Sequence, residues 1–369
     1  MSYLVVSLAN MFEVFRVMKS DVQIFKFIVK VGKYWGPFPI EGNLFAKICY
    51  FAISLVISLS AVMSTFSQFT RAASYLNLTD SLIFFCNLTI LLIHHFYCSY
   101  YGKWCKRNSW NYFYQNMTNL DEFSTDRNIP LLLLKIICML AIVFYPNCAI
   151  LSFGGFQDYE TCMNSLATAF WLLSISQFSY LVVVWCETCN ILSSRYKYIN
   201  NTVKKIHSGD ICVRQKSMKE IINVVAIVHK TVNCLNEGAG FLILALLVTS
   251  FVIVCQYVNL ILMVHADMLF FDMLWYSLHS VSFIVLSIIV IMSCDQVEKK
   301  STEFIQTCIY IQATTGDEQA ATLANLANQL RPKFSAAGFF DINQRLLPVF
   351  FSNLSTYLII ILQFKISSL

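Results

Sequence analysis

Apolar blocks of about twenty residues recur along the chain, and charged residues are confined to the segments between them. An α-helix of about twenty apolar residues is just long enough to cross the hydrocarbon core of a bilayer. Only 13% of the 369 residues are charged, against about 25% in an average soluble domain. The pattern therefore predicts an all-α membrane protein.

We predict seven transmembrane helices from these blocks. In chain order they are Leu44–Phe66, Ser81–Tyr101, Ile129–Phe153, Ser165–Asn190, Ala239–Val264, Met268–Cys294 and Leu346–Phe364. Because the number is odd, the two termini are expected on opposite sides of the membrane.

The distribution of Lys and Arg indicates which side is which, because cytoplasmic segments of membrane proteins are enriched in basic residues. With a cytoplasmic N-terminus, 22 basic residues fall in inner segments and two, Arg71 and Lys365, in outer segments. The other two, Lys47 and Lys135, lie near the inner ends of spans. We therefore expect the N-terminus in the cytoplasm and the C-terminus outside, the opposite of a G-protein-coupled receptor.

The inner segments are long enough to form structure of their own. The predicted organisation is a cytosolic N-terminal arm at 1–43, transmembrane helices 1–4 at 44–190, a cytosolic helical connection at 191–238, transmembrane helices 5–6 at 239–294, cytosolic helices at 295–345, transmembrane helix 7 at 346–364 and an extracellular tail at 365–369. Charges interrupt the arm, so it does not read as a signal peptide, and it has room for an amphipathic helix on the membrane surface.

Three inner segments carry apolar residues at steps of three and four, which is typical of amphipathic helices. The stripes are Leu192, Tyr196, Ile199, Val203 and Ile206; Met218, Ile221, Val225, Val228, Val232 and Leu235; and Leu323, Leu326, Ala327 and Leu330. Such helices either lie on lipid head groups or pack together. The similar width of the three stripes favours packing into a cytosolic assembly domain.

The last predicted helix has a polar face. At 3.6 residues per turn, one broad face carries Ser352, Ser355, Thr356, Ile359 and Gln363. Polar side chains that face lipid are unfavourable, so this face should meet protein or water. Two interpretations remain: helix packing through small polar residues, or the wall of a pore.

Two motifs at the end of the chain resemble a known family. Thr356-Tyr357, five apolar residues and Gln363-Phe364 match the signature of the insect gustatory receptors. Upstream, the segment from Phe334 to Phe340, which contains Ala336 and Gly338, resembles that family's Phe-x-Ala-x-Gly-x-Phe segment. The predicted span number and orientation are also those of the family.

The resemblance implies a tastant-gated, non-selective cation channel that assembles as a homo- or heterotetramer with other gustatory receptors. The last helix of each subunit would line one central pore, and residues 295–345 would form anchor helices between subunits. The expected pore or gate residues are Thr356, Ile359, Ile360, Gln363 and Phe364, with Tyr357 packing behind the pore. The expected location is the plasma membrane, in dendrites of gustatory neurons, where membrane lipid and permeating cations are further partners.

A small-molecule tastant would enter from outside, so polar and aromatic residues in the outer halves of the first six spans are candidates for binding it. They are Asn87, Trp171, Ser174, Gln177, Gln256, Tyr257, Asp272, Trp275, Tyr276 and His279. Spacings of three, four and seven residues put the last four on one helix face. An aspartate within a span is energetically costly and therefore suggests function, although a position near outer water would also explain Asp272.

One position of the last helix bears on the ligand class. Sugar receptors of the family tend to carry Glu after Thr-Tyr, where this chain has Leu358. That difference favours a receptor for bitter or plant-derived compounds. The alternatives are a fructose-type sugar receptor, or a seven-helix receptor that acts only within a heteromer or through metabotropic signalling.

Other kinds of site are not expected. The sequence has no His/Cys/Asp cluster with metal-ligand spacing and no glycine-rich phosphate loop. We therefore do not expect an enzyme, and we expect no metal site, cofactor or nucleic-acid partner. Cys148 and Cys162 both fall near the predicted outer face and are candidates for a disulfide. Asn77-Leu78-Thr79 is a candidate glycosylation site in the first outer loop.

Overall fold

The computed structural model describes residues 21–33, 36–39, 44–75, 78–123, 159–206, 211–263 and 270–367. Within these ranges the chain is almost entirely helical, and Ser335 and Asp341 form an isolated antiparallel bridge. The helices are α1 (Asp21–Gly32), α2 (Leu44–Tyr75), α3 (Leu78–Phe96), α4 (Arg107–Asn119), α5 (Tyr159–Ile206), α6 (Ile211–Met263), α7 (Phe270–Thr315), α8 (Glu318–Gln329) and α9 (Leu346–Ser367). A π-helical turn, Tyr97–Tyr101, and the short helix Gly102–Trp104 lead from α3 towards α4.

The predicted spans agree with these helices wherever the structure describes them. Span 1 lies in α2, span 2 lies in α3 and the π-helical turn that follows it, and the described residues of spans 4 to 7 lie in α5, α6, α7 and α9. Span 3, at 129–153, lies outside the described residues. Among the described residues, three helical segments are long and apolar enough to cross a membrane: Met218–Val258, Ser277–Thr315 and Leu346–Gln363.

Three helices are much longer than a bilayer is thick. α5, α6 and α7 contain 48, 53 and 46 residues. At a rise of about 1.5 Å per residue they are about 70 to 80 Å long, while the hydrocarbon core measures about 30 Å. Each helix must therefore continue well beyond the membrane, which explains why basic residues appear in their sequences.

The amphipathic stripes of the inner segments are buried against one another. Tyr196 on α5 and Phe304 on α7 are both buried, and their ring centroids lie 6.3 Å apart. Val225, Val228 and Val232 on α6 are fully buried, as is Leu323 on α8. These helices therefore pack together, and lipid head groups do not cover the stripes.

The N-terminal helix also packs on protein, unlike the membrane-surface helix for which the sequence left room. Phe25 of α1 contacts Phe113 of α4, with ring centroids 5.7 Å apart. The Tyr180 hydroxyl of α5 donates a hydrogen bond to the carbonyl of Ile28 at 3.2 Å. The apolar side of α1 thus belongs to the protein core, because α4 and α5 together offer it a preformed apolar surface.

A buried lysine joins the N-terminal region to the bundle. The Lys103 ammonium, just after the π-helical turn, donates hydrogen bonds to the Lys33 carbonyl and the Tyr50 hydroxyl, both at 2.7 Å. It also lies 4.0 Å from the centroid of the Tyr50 ring. Burial lowers the pKa of Lys103 from 10.5 to about 7, because the charged form loses its hydration.

This shift predicts a pH-dependent stability. Between the folded pKa of about 7 and the unfolded value of 10.5, the unfolded chain binds more protons than the folded one. The Lys103 contribution is therefore least favourable below pH 7, and the free energy of unfolding should rise by at most about 1.4 kcal/mol per pH unit above it. We expect the thermal unfolding midpoint of the detergent-solubilised protein to rise from about pH 6.5 to about pH 8.5.

The matched variant is Lys103→Met, which keeps the length of the side chain and removes the titration. The rise of the midpoint with pH should be absent or clearly smaller in this variant. An identical pH dependence in both proteins would show that Lys103 does not titrate in this range.

Candidate functional site

The last helix, α9, contacts the rest of the chain with one narrow face. Leu354, the one buried side chain among the described residues of α9, packs on Val254 and Cys255 of α6. The ring centroid of Phe251, also on α6, lies 6.4 Å from that of Phe350 and 5.1 Å from that of Tyr357. Tyr357 is 54% exposed and contacts α6 through Phe251; its predicted place behind a pore stays a prediction.

The opposite face of α9 is exposed and carries the predicted polar residues. Ser352, Thr356 and Gln363 lie about half a turn from Leu354 and are exposed, and Ile359 beside them is 54% exposed. The Thr356 hydroxyl donates a hydrogen bond to the Ser352 carbonyl at 2.9 Å, which partly satisfies it within the helix. Ile360, on the edge of this face, is 40% exposed. Phe364 belongs to the helix, but its side chain lies outside the described part.

The segment that leads into α9 is a compact loop around the second motif. The Ala336 amide donates to the Phe340 carbonyl at 3.0 Å, and the Ile342 amide donates to the Phe334 carbonyl at 2.8 Å. Gly338 has φ +82°, a left-handed conformation that glycine adopts most readily. Phe334 is buried beneath the loop, with its ring centroid 5.9 Å from that of Trp185.

Asn236 of α6 fastens this loop to the bundle. Its amide nitrogen donates to the Lys333 carbonyl at 2.7 Å, and its oxygen accepts from the Ser335 amide at 3.1 Å. A Cβ atom at Gly240, one turn further along α6, would lie only 2.9 Å from the Ser335 carbonyl oxygen and the Ala337 nitrogen. The absence of a side chain at Gly240 therefore lets the loop backbone rest directly on α6.

The beginning of α9 is also tied to α7. The Asp295 carboxylate accepts a hydrogen bond from the backbone N–H of Gln344 at 3.3 Å and forms an ion pair with the Lys299 ammonium at 2.7 Å. The Lys299 ammonium in turn donates to the Gln344 side-chain oxygen at 2.9 Å. A displacement of α7 along its axis would therefore pull on the start of α9.

A second group of functional candidates lies inside the bundle. Asn87 of α3 donates its amide to the side-chain oxygen of Gln256 on α6 at 2.9 Å. The side-chain oxygen of Gln177 on α5 lies 3.3 Å from Nδ1 of His95. Nε2 of the same histidine lies 3.1 Å from the Ser58 hydroxyl oxygen of α2. Side chains from four helices thus form polar contacts in the apolar interior.

Aromatic side chains next to several of these polar residues in the sequence contact one another across the bundle. His94 of α3 stacks on Phe178 of α5 with ring centroids 3.5 Å apart, and Phe178 contacts Phe283 of α7 at 6.3 Å. His279 of α7 lies 5.2 Å from Phe283 and 5.4 Å from Tyr257 of α6. We call these five residues the ring chain; it crosses the bundle from α3 to α6.

The structure therefore brings together several of the predicted ligand-binding residues. Asn87 and Gln256 contact each other, Tyr257 contacts His279, and Gln177 contacts His95, which is not among the predicted residues. Ser174 is fully buried on α5, and its hydroxyl has no hydrogen-bond partner among the described residues.

The other predictions concern side chains that the structure does not describe. The backbone of Trp171 and Cys162 lies in α5 and that of Asp272, Trp275 and Tyr276 in α7, but the side chains lie outside the described part. Asn77 and Cys148 lie outside the described residues altogether. The predicted disulfide and glycosylation site therefore stay predictions.

Sequence reasoning missed Ser58, His94, His95 and Phe178. The two histidines carried a usable signal, because a polar pair within an apolar span is unfavourable and suggests a partner or a function. Phe178 carried none, since one phenylalanine in an apolar block looks like any other. Only the helix packing reveals that it stacks on His94.

Comparisons with known proteins show the family of this chain and the likeness of its fold. The family model described as 7tm chemosensory receptor matches residues 25–368. The chain belongs to the 7tm chemosensory receptor family. No curated protein matches this chemosensory receptor.

Two solved structures are similar to this chemosensory receptor over almost its whole length. One is the insect olfactory receptor OR5 from Machilis hrabei in complex with eugenol, with a TM-score of 0.64 and 12% identity. A second structure of OR5 gives the same TM-score with 13% identity. In both cases the similarity covers 93% of this chain and 97% of the other. At this identity the likeness concerns the fold.

The close approach at Gly240 predicts that Gly240→Ala destabilises the receptor. Alanine is intrinsically better than glycine in a helix by about 1 kcal/mol. Here the added methyl group would collide with backbone atoms that cannot rotate away, so we expect a net loss of about 1 to 3 kcal/mol. The measurement is the thermal unfolding midpoint in detergent.

Val248→Ala is the matched control, because Val248 is exposed on the same helix and its truncation adds no atoms near the loop. Its midpoint should stay closer to that of the unmodified receptor. A midpoint for Gly240→Ala equal to or above the unmodified value would show that the loop does not rest on α6 as described.

Proposed function

We propose that this chain is a gustatory receptor, a tastant-gated, non-selective cation channel of the plasma membrane. The observation that carries the proposal is the two-sided environment of α9. One face packs on α6 through Leu354, and the face that bears Ser352, Thr356 and Gln363 is exposed on the isolated chain. A polar face of a membrane-spanning helix requires water or protein on its other side.

A central pore meets this requirement. Four copies arranged with α9 innermost would turn the polar faces towards one water-filled axis. Ile359 and Ile360 would form an apolar constriction, and Gln363 with Phe364 would border the gate near the outer end. The match to the gustatory receptor signature at Thr356-Tyr357 and Gln363-Phe364 supports the same assignment.

The interior of the bundle supports a small organic ligand. The ring chain offers flat apolar surfaces, and the Asn87–Gln256 and Gln177–His95 contacts offer neutral hydrogen-bonding groups. Binding sites for small molecules typically combine such apolar walls with a few polar groups. The similar receptor OR5 was solved in complex with eugenol, and Leu358 at the position after Thr-Tyr favours a bitter or plant-derived compound over a sugar.

α7 offers a route from ligand to pore. It carries His279 and Phe283 of the ring chain, and further along it carries Asp295 and Lys299, which hold Gln344 at the start of α9. A ligand that displaces His279 or Phe283 would move α7 relative to α9. Because α9 touches the bundle through one narrow face, a small pull at its start can shift the exposed face.

The first prediction from this proposal concerns the pore. The chain is expressed in oocytes, and currents are recorded while bitter compounds and sugars are applied. Ile360→Ala should raise the basal current several-fold, because the apolar constriction widens and wets more easily. Gln363→Ala should change the reversal potential in asymmetric ion solutions, because an amide that contacts the permeating ions is lost.

Leu362 is exposed on α9 at the side of the polar face, about 100° around the helix from Gln363. Leu362→Ala is the control. It should leave basal current and reversal potential close to those of the unmodified receptor. A ligand-evoked current whose leak and selectivity are the same in all four proteins would remove α9 from the pore.

The second prediction concerns the ligand site. Asn87→Ala and Gln256→Ala should each raise the half-maximal ligand concentration by about five- to tenfold, the effect expected from loss of one polar partner. Because the two side chains contact each other, the double variant should show less than the sum of the two effects. Thr89→Ala, which removes a hydroxyl bonded only to its own helix at Phe85, is the control.

Additive effects of Asn87→Ala and Gln256→Ala would mean that the two residues act separately. Unchanged half-maximal concentrations, with normal surface expression, would place the ligand elsewhere.

A further inference from the structure

Two adjoining grooves lie on the surface near the predicted inner boundary of the membrane. The first has a volume of about 900 Å³ and runs between the end of α3, the α6 residues around Phe241 and the loop at Gly338. The second has a volume of about 500 Å³ and lies between α2 and the π-helical turn. Tyr100 and Tyr101 line both grooves and therefore form a ridge between them.

The walls of these grooves are aromatic, and contacts with neighbouring residues hold their side chains in place. Tyr97 forms the floor of the larger groove: its ring stacks on Phe241 with centroids 5.2 Å apart, and its hydroxyl donates to the Gly238 carbonyl at 3.3 Å. Phe51 of α2 contacts Tyr100 across the smaller groove at 5.6 Å. The π-helical turn Tyr97–Tyr101 matters here, because π-helical turns commonly accompany functional sites.

Each groove carries one lysine, Lys47 in the smaller and Lys106 in the larger. Among the described residues, neither ammonium group has a hydrogen bond or an ion pair. Glu237 also lines the larger groove, where its carboxylate accepts a hydrogen bond from the Ser109 hydroxyl at 2.9 Å. Arg107, exposed in the first turn of α4, and the positive end of that helix add to the potential near Lys106.

We propose that these grooves bind one anionic diacyl phospholipid of the inner leaflet. Its two acyl chains would lie on either side of the Tyr100–Tyr101 ridge, and its phosphate would lie near Lys106 and Lys47. Three features support this occupant together. They are two grooves that share an aromatic wall, a lysine at each that forms no ion pair within the described part of the chain, and Tyr and Trp side chains near the predicted membrane interface.

The site would also influence gating. Ser335, Ala337 and Gly338 of the motif loop line the larger groove, and this loop leads into α9. A lipid in the groove would therefore hold the loop against α6 beside Asn236. This inference does not depend on the ligand or on ion conduction, because it concerns binding to a surface outside the bundle interior.

The experiment is native mass spectrometry of the full-length protein purified in detergent. Palmitoyl-oleoyl phosphatidylserine and palmitoyl-oleoyl phosphatidylcholine are added separately, since they share acyl chains and differ in net charge. The unmodified protein should retain phosphatidylserine with at least about fivefold higher affinity, and Lys106→Gln should reduce this preference about fivefold, the effect of one lysine at a membrane surface. Tyr101→Ala should weaken the retention of both lipids, because it shortens the ridge.

Two matched variants sharpen the result. Lys219→Gln removes an exposed lysine of α6 that lines neither groove, and it should leave the preference unchanged. Glu237→Gln removes a negative charge from the larger groove and should increase the preference for phosphatidylserine.

Three outcomes would overturn the proposal. One is equal retention of the two lipids by the unmodified protein. Another is a preference that Lys219→Gln reduces as much as Lys106→Gln does. The third is efficient formation of disulfide-linked dimers by Phe241→Cys in phosphatidylserine vesicles, which would assign the groove to a second copy of the chain.

Discussion

Contacts between α5 and α7 support most of the other features of this receptor. They begin in the ring chain, where Phe178 meets Phe283, and continue through Trp185, whose indole donates to the Cys294 sulfur at 3.0 Å, to Tyr196 against Phe304. Apolar burial continues along both helices far beyond the thickness of a bilayer, so the two behave as one stiff pair. α6, α8 and the motif loop all pack against this pair. The ring chain and the start of α9 are therefore positioned by it.

In the proposed channel, the contrast between this rigid core and α9 would allow a ligand to control the pore. α5, α6 and α7 are buried along one continuous core, whereas α9 has a single buried side chain, Leu354, among its described residues. A helix with so few contacts to its own subunit can move at small energetic cost. Its start is nevertheless held firmly through Asp295, Lys299 and Gln344. In the proposed channel, a displacement of the core would therefore reach α9 at its start and move the exposed polar face.

The interior and the inner surface use aromatic residues differently. In the ring chain, His94 and His279 are buried among Phe and Tyr rings, so the proposed ligand would have to displace packed side chains. At the π-helical turn, Tyr100 and Tyr101 separate two open grooves with a lysine in each, which suits an amphiphile that the membrane supplies at high local concentration. The motif loop lies between these regions, with Phe334 buried against Trp185 and Gly338 lining the larger groove. The same loop thus contacts the buried core through Phe334 and the larger groove through Gly338.

The sequence by itself determined what depends on periodicity and on strong local chemistry. Apolar blocks predicted the long helices that the structure describes, the three stripes predicted helices that pack together, and the spacing of Ser352, Thr356 and Gln363 predicted one polar face on α9. Tertiary structure alone decided which polar groups meet: Asn87 and Gln256 are 169 residues apart, and their pairing depends on how α3 lies against α6. It also decided that α1 packs on α4 and α5, since an amphipathic helix has the same pattern whether protein or lipid covers its apolar face. The close approach at Gly240 was equally hidden, because glycine marks a position where another backbone can come near, and only the fold determines which one does.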